Sequence, residues 1–391
     1  MSEGAFRWST MLILMSALAL HNGLRIGPVP LVDELRARYG VDYTGVGNVI
    51  GAYTFAYAFA QLTAGLLTDR FGPKRLLLVG LTLAAVGSAL FAVTAAYPVA
   101  VAARLVMGTA GGFLYTPTLA YTFAAFDPRL RGRAMGFAEA GVGAGQILAV
   151  LLLPVAFTTL GLVPAFLSLP VVAVTLWLAV ALGLRPIHPE RRQGRGHFVA
   201  LAGDRDFWLV LIGVAFVGML AQIATLAWMP TYLRQTYGYG PVAAGISTGI
   251  VVAGLMVFSP LFGVLSDRLT ARRPVLLGGS ALALLGWGVL LTTHSAWVAI
   301  AAAFLVSASM AATIPMQIVF VSERFAAVGA GTAIGLVNTG GQMASSIGGP
   351  LYGAMLDGGL GFGAVWGTAA ALGVARIVAV LLLRERRPGA R

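Results

Sequence analysis

The chain contains no cysteine and very little charge. Without cysteine there are no disulfides and no thiolate metal sites. Of its 391 residues 10% are charged and 58% hydrophobic, whereas a soluble domain is usually about 25% charged. A soluble protein so poor in charge could not cover its surface, so lipid is its natural solvent. The sequence also lacks a Gly-Lys-Ser/Thr phosphate-binding loop, a nucleophile–base set and a metal-ligand cluster. These absences argue against an enzyme, direct ATP drive, a cofactor or a bound metal.

What is abundant fits the same solvent. The 51 glycines suit transmembrane helices, which pack through small residues where no hydrophobic force drives them together. The net charge of +12 raises nucleic acid as a partner. However, the basic residues form short clusters between apolar segments rather than an amphipathic face, and a positive-inside pattern explains them better.

A membrane helix needs roughly 20 apolar residues. Twelve such spans are expected, near 9–31, 43–67, 74–95, 97–121, 133–159, 163–183, 207–232, 241–262, 275–293, 296–321, 329–356 and 361–383. Every second loop is basic: Arg70/Lys74/Arg75, Arg129/Arg131/Arg133, the stretch from Arg185 to Arg205, Arg268/Arg272/Arg273 and Arg324. The opposite loops hold little beyond Arg36, Arg38 and Arg234. This asymmetry places both termini in the cytoplasm. Arg7, the apolar run Met11 to Leu20 and Ala17-Leu18-Ala19 could pass for a cleavable signal. Against that, the apolar character continues to Val32, and removal would leave the first half without a counterpart of span 7.

The chain repeats itself at half its length. Gly65-Leu66-Leu67-Thr68-Asp69-Arg70 recurs as Gly263-Val264-Leu265-Ser266-Asp267-Arg268. Gly132 to Glu139 aligns with Gly331 to Asn338, Thr116-Pro117 with Ile314-Pro315, and Pro30 with Tyr39-Gly40 with Pro230 with Tyr237-Gly238, all at offsets of 198 to 200. Same-direction copies at half length are the mark of a duplicated membrane module. The expected fold is all-α, with twelve transmembrane helices in two pseudo-symmetric six-helix bundles. Residues 1–184 form the first, 207–391 the second, and 185–206 a cytoplasmic linker.

Gly65-x-Leu67-x-Asp69-Arg70-x-Gly72-Pro73-Lys74-Arg75 resembles the signature loop between spans 2 and 3 of the major facilitator superfamily. Its second copy is degenerate, with Thr270 in place of Gly72. Arg104-Leu105-Val106-Met107-Gly108 resembles that superfamily's span 4 arginine motif. The resemblance covers essentially the whole chain. It implies a substrate cavity between the halves, lined mainly by spans 1, 4, 7 and 10, with alternating access by rocking and usually a monomer. The span 5 antiporter signature, a Gly-Pro pair among glycines, is absent: Gly141, Gly143 and Gly145 occur without the proline. This lowers the case for drug export.

An ionisable residue inside a span is a functional candidate by default. Arg25 lies roughly 24 Å from the cytoplasmic end of span 1, and Arg104 roughly 10 Å below the outer end of span 4, by the helical rise. Two cations at similar depth on cavity-lining spans point to an anionic substrate. The alternatives are that Arg104 bonds backbone carbonyls of span 1 and that Arg25 snorkels outward. Glu139, about 9 Å inside span 5, is the proton-coupling candidate, because a desolvated carboxylate binds a proton more readily. A hydrogen-bonded structural glutamate is the other reading. Arg376, on a peripheral span, is expected to anchor at the headgroups.

His21 and Asn22, Tyr53 and Tyr57, Gln222 and Trp228, and Asn338 and Gln342 complete the substrate-binding candidates. Each could equally bond a neighbouring helix. Pro28 and Pro30 should distort the outer end of span 1. Asp69, Arg70, Lys74, Arg75, Asp267 and Arg268 are gating candidates, able to lock one state by bonding exposed backbone N–H groups; simple topology control is the alternative. The reading that follows is a secondary transporter of the inner (plasma) membrane taking up a small organic anion or polar metabolite with protons. Its partners would be substrate, proton and lipid, with no nucleic acid. Export of drugs or amphipaths is the second possibility, and a non-transporting receptor or lipid scramblase the third.

Overall fold

The computed structural model describes residues 8–127, 130–187, 201–269, 272–325 and 330–384. All twelve expected spans are helical. They are α1 Trp8–Tyr39, α2 Tyr43–Phe71, α3 Pro73–Val93, α4 Tyr97–Ala125, α5 Arg131–Leu160, α6 Leu162–Gly183, α7 Arg205–Tyr237, α8 Pro241–Leu269, α9 Arg273–Thr292, α10 Ala296–Arg324, α11 Ala330–Asp357 and α12 Gly361–Leu382. The described residues contain no strand. Among the described residues eleven helices are long and apolar enough to cross a membrane. The exception is α11, which carries Asn338, Thr339, Gln342, Ser345 and Ser346. Large apolar side chains stay exposed on the outside of the helices, as at Leu66, Leu182 and Trp297.

Local chemistry sets the helix boundaries. Pro73, Pro98 and Pro274 occupy first-turn positions, where the missing N–H costs nothing. Within α1 the α-helix stops at Ile26, a 3-10 turn covers Val29–Leu31, and the helix resumes at Val32. Pro28 and Pro30 cause this break by removing two backbone donors. The repeated Tyr-Gly pairs are a matched device. Gly40 and Gly238 adopt left-handed conformations, φ 62° and 70°, and their N–H groups donate to the carbonyls of Arg36 and Arg234. Such a cap favours glycine, which has no Cβ to clash. α7 begins with one α-helical turn, Arg205–Trp208, passes through a π-helical stretch, Leu209–Phe216, and continues as α-helix.

The described helices fall into two compact units by their contacts. The first comprises Met1–Val41, Asn48–Arg192 and Pro241–Ile246; the second comprises Asp42–Gly47, Gln193–Gly240 and Ser247–Arg391. In the first unit α1 packs on α5, and α3 on α4 and α6. In the second the corresponding pairs recur: α7 on α11, and α9 on α10 and α12. Small residues permit these contacts. A Cβ on Gly145 of α5 would stand 2.0 Å from the carbonyl oxygen of Ala19 of α1, and one on Gly108 of α4 would stand 2.1 Å from that of Tyr53 of α2.

Basic side chains close several helix ends. Arg38 donates to the carbonyls of Ala92 (2.8 Å) and Thr94 (2.9 Å) at the end of α3. Lys74 Nζ donates to those of Ala181 (2.8 Å) and Leu184 (2.7 Å) at the end of α6. Arg273 reaches the carbonyl of Leu381 at the end of α12. Lys74 and Arg273 belong to the matching basic clusters of the two repeats, one position out of register, so each copy of the signature loop ties down the sixth helix of its own half.

Candidate functional site

A polar cluster lies inside the first unit, built from α1, α2, α4 and α5. His21 and Arg25 are one turn apart on α1, and Tyr53 and Tyr57 one turn apart on α2. The Tyr53 hydroxyl donates to the backbone carbonyl of His21 at 2.9 Å and stands 2.8 Å from His21 Nδ1. A phenol has one proton, so the imidazole Nδ1–H is the donor in the second bond. The His21 ring stands 4.9 Å from the Tyr57 ring and 5.9 Å from the Tyr115 ring, centroid to centroid, and Tyr57 and Tyr115 meet edge to face at 6.4 Å. Gly111 of α4 makes room for this array, since a Cβ there would lie 2.5 Å from the Tyr53 hydroxyl and 2.7 Å from His21 Nδ1.

Three charges belong to the cluster. Arg104 is fully buried, and its guanidinium is committed to backbone: Nε donates to the Val49 carbonyl at 3.0 Å, Nη2 to that of Arg25 at 3.1 Å, and Nη1 to that of Leu24. Its charge also faces the Tyr53 ring at 4.7 Å. Arg104 therefore ties α4 to α1 and α2 and holds the backbone of Arg25. Arg25 is half-buried, and its own guanidinium makes no hydrogen bond or ion pair among the described residues. It lies within electrostatic reach of His21, Tyr53 and Tyr57. Glu139, exposed on α5, accepts a hydrogen bond from the Tyr115 hydroxyl at 3.0 Å and is an electrostatic neighbour of Tyr57. Tyr57 thus has the cation and the carboxylate both within reach. Asn22 turns to α5, where it accepts from Gln146 Nε2 at 3.1 Å.

The second-half candidates have separate surroundings. Gln222 is buried and donates to Ser309 Oγ of α10 at 2.8 Å. Its helix neighbour Thr225 accepts from Trp287 Nε1 at 3.1 Å. Trp228 is fully buried, and its indole N–H has no acceptor among the described residues. Gln342 is buried with no partner for its Oε1 among the described residues, and Asn338 is half-buried.

Arg376 requires a correction. It is only 4% exposed and turns inward rather than toward the headgroups. Its guanidinium lies against α7 at Gly218, where a Cβ would stand 2.8 Å from Cζ. The reason is that Gly218 leaves room where any larger residue would expel the arginine.

Among the gating candidates, Asp69, Arg70, Arg75 and Arg268 are exposed and Lys74 caps α6; the side chain of Asp267 falls outside the described residues. The expected linker is described only up to 187 and from 201. At the nearby ends of α7 and α10 sequence reasoning missed an ionic cluster: Arg324 pairs with Asp206 at 2.8 Å and Asp204 at 3.1 Å, and Arg272 with Glu323 at 2.9 Å. Tyr115 and Gln146 were also missed. Tyr115 could have been found from spacing, because Arg104, Gly111 and Tyr115 lie on one face of α4 by helical periodicity. Among the described residues no group of His, Asp or Glu side chains could hold a metal ion.

Twelve helices in two compact units, with ionisable groups inside the first, define a bundle of long apolar helices of the membrane-spanning kind. The family model of the Major Facilitator Superfamily matches residues 8–349 and 244–391, and the chain belongs to that superfamily. It is 27% identical to a probable sulfoacetate transporter of Cupriavidus necator over 61% of this chain, a match that spans only 60% of that relative's length. It is likewise 27% identical to the 3-(3-hydroxyphenyl)propionate transporter of Escherichia coli, over 99% of this chain and 96% of the relative. Among solved structures, a point mutant of the nucleoside transporter NupG superposes with a TM-score of 0.82 at 14% identity, covering 95% of this chain and 99% of that one. At that identity the likeness concerns the fold.

Proposed function

We propose that the protein is a secondary active transporter of the cell's inner membrane, with both termini cytoplasmic, that takes up a small organic anion together with a proton by alternating access. The observation that carries this reading is Arg25, a guanidinium in a membrane helix with no hydrogen bond or ion pair among the described residues, facing a wall of His21, Tyr53 and Tyr57. A cation within a membrane span is costly, and a bound carboxylate or sulfonate would neutralise it. The phenols and the imidazole then supply hydrogen bonds and an aromatic face for the rest of the substrate. The names of both relatives support an anion: sulfoacetate and 3-(3-hydroxyphenyl)propionate are organic acids. Sugar acids and other polar anions fit the same chemistry.

Glu139 is the proton carrier in this reading. It is exposed on α5, yet linked through Tyr115 to the rings beside Arg25. Asp69, Arg70 and Arg75, with Asp267 and Arg268 of the second copy, act as the cytoplasmic gate, while Lys74 holds its loop to α6. Purified protein in proteoliposomes should accumulate labelled organic acids when the outside is acidic. Glu139→Gln should abolish the response to the proton gradient but keep anion exchange. Continued proton-driven accumulation in that variant would remove Glu139 from the mechanism.

A further inference from the structure

The division of the chain into units cuts through two helices. Asp42–Gly47, which opens α2, belongs to the second unit, and the rest of α2 to the first. Pro241–Ile246, which opens α8, belongs to the first unit, and the rest of α8 to the second. The two seats are matched by the repeat. A Cβ on Gly47 would stand 2.6 Å from the carbonyl oxygen of Gly349 of α11, and one on Gly245 would stand 2.2 Å from that of Val150 of α5. Gly47 and Gly245 are repeat mates, 198 positions apart, and so are Val150 and Gly349, 199 apart.

The hydrogen bonds at the two seats are not matched. An α-helix leaves its first N–H groups without partners in its own ladder. At the start of α2 the Asp357 carboxylate, at the end of α11, supplies them. Tyr43 N–H donates to Oδ1 at 2.9 Å, Thr44 N–H to Oδ2 at 2.7 Å and the Thr44 hydroxyl to Oδ2 at 2.6 Å. The negative charge also suits the positive end of the helix dipole. The next N–H, of Gly45, is capped from within the chain by Asp42 at 2.7 Å. Tyr43 is held further by Gln235, which donates to its hydroxyl, and by Trp228, whose ring it meets at 5.7 Å. In α8 the place of Tyr43 is taken by Pro241, which has no N–H to cap. Thr158, the repeat mate of Asp357, donates to the Val155 carbonyl of its own helix at 3.0 Å.

We infer that Asp357 is a releasable cap, which holds the first turn of α2 on the second unit in one transport state, lets it go in the other, and so sets the balance between them. This rests on the alternating access proposed above, not on the anion or the proton. α2 is one continuous helix from Tyr43 to Phe71. A movement of the first unit against the second therefore either unwinds α2 or draws its first turn off Asp357. Unwinding breaks the helix ladder, whereas unseating breaks only the cap. Asp357 is exposed, so water takes over both the carboxylate and the freed N–H groups, and Asp42 stays on Gly45 throughout. With both termini cytoplasmic this end of α2 faces outward, and the cap favours the state closed to the outside. The α8 seat has no such bond to lose.

The chain has no cysteine, so Ala95→Cys in the first unit and Leu360→Cys in the second, both at exposed positions, accept nitroxide labels without further changes. Pulsed electron–electron resonance on full-length protein in lipid nanodiscs then gives the distribution of distances between them. Asp357→Ala should raise the ratio of the longer to the shorter population about fivefold, as for loss of an ordinary helix N-cap. Asp357→Asn, left with one acceptor oxygen, should fall between Ala and wild type. Thr44→Val, which removes one bond and keeps the carboxylate, should shift the ratio less than Asp357→Ala and should add nothing to it in the double variant. If Asp357→Ala does not fold, the Asn and Val variants carry the test. Two populations whose ratio is the same in every protein, or a shift toward the shorter distance, overturn the cap and leave alternating access standing. A single unmoving population in every protein, with and without 3-(3-hydroxyphenyl)propionate, counts against alternating access itself and removes the cap with it.

Discussion

Two arginines show how differently the two halves use a duplicated scaffold. Arg25 in α1 and Arg376 in α12 both lie in membrane helices, and neither forms an ion pair among the described residues. Arg25 is half-buried among a histidine, two tyrosines and, beyond them, a carboxylate. Arg376 is buried against the backbone of Gly218, and its Nε has no acceptor among the described residues. The first has hydroxyl and imidazole groups that could surround an anion. The second lies against the backbone of α7 at Gly218. The pattern extends to the neutral side chains. In the first unit the polar groups include two cations and a carboxylate in one cluster. In the second, Gln222 with Ser309 and Trp287 with Thr225 form separate neutral pairs that fasten one helix to the next. Duplication preserved the packing, seen in the matched helix pairs and glycine caps, while the ionisable groups set among aromatic rings belong to the first copy and the ion pairs at the ends of α7, α9 and α10 to the second.

The contrast breaks most sharply at the two arginines. Arg25→Met should weaken anion binding by about 2–5 kcal/mol, the usual loss when one side of a close charge pair is removed. Titration calorimetry or thermal shift with 3-(3-hydroxyphenyl)propionate measures it, and unchanged affinity would end the role given to Arg25. Arg376→Met should do the reverse. Replacing a buried, uncompensated charge with a well-packed apolar side chain is often neutral or stabilising, by about 1–4 kcal/mol. The melting temperature should hold or rise with anion affinity unchanged. A drop in affinity would show that Arg376 belongs to the binding machinery after all. Gly111→Val comes next. Its side chain would collide with Tyr53 and His21, and overpacking of this kind costs about 1–3 kcal/mol. Because the collision falls on the aromatic wall, anion affinity should suffer along with stability.

Sequence made the scaffold legible for physical reasons. Twelve apolar runs, punctuated by Gly and Pro, could form nothing but spans in so uncharged a chain, and the repeat pairs them. Arg25, His21 and Glu139 were visible because an ionisable residue in an apolar run is conspicuous. Tyr115 was not, since a tyrosine among apolar residues is unremarkable until its hydroxyl is found on Glu139. Arg376 was misread because its direction depends on a small residue in another helix, Gly218, whose vacancy no periodicity within α12 reveals. Arg104 shows the limit of depth arguments. Its height matched that of Arg25, but the carbonyls of Val49, Leu24 and Arg25 decide what it does.

The smallest effect sharpens the comparison between halves through two glutamines. Gln146 reaches Asn22 beside the charged cluster, and Gln222 reaches Ser309 in the second unit. An interhelical side-chain hydrogen bond in a membrane protein is worth about 0.6 kcal/mol on average, so Gln146→Ala and Gln222→Ala should lower stability by similar small amounts. Their effects on transport should differ. Asn22 adjoins His21 on α1, so losing its partner loosens the helix that carries Arg25, and the apparent affinity for the anion should drop a few-fold. Loss of the Gln222 bond should leave affinity within error, because Ser309 and Gln222 are both buried in the second unit and bond each other. Equal shifts in affinity for the two variants would mean that the second unit contributes to the anion site as directly as the first, and the division of labour argued from Arg25 and Arg376 would have to be abandoned.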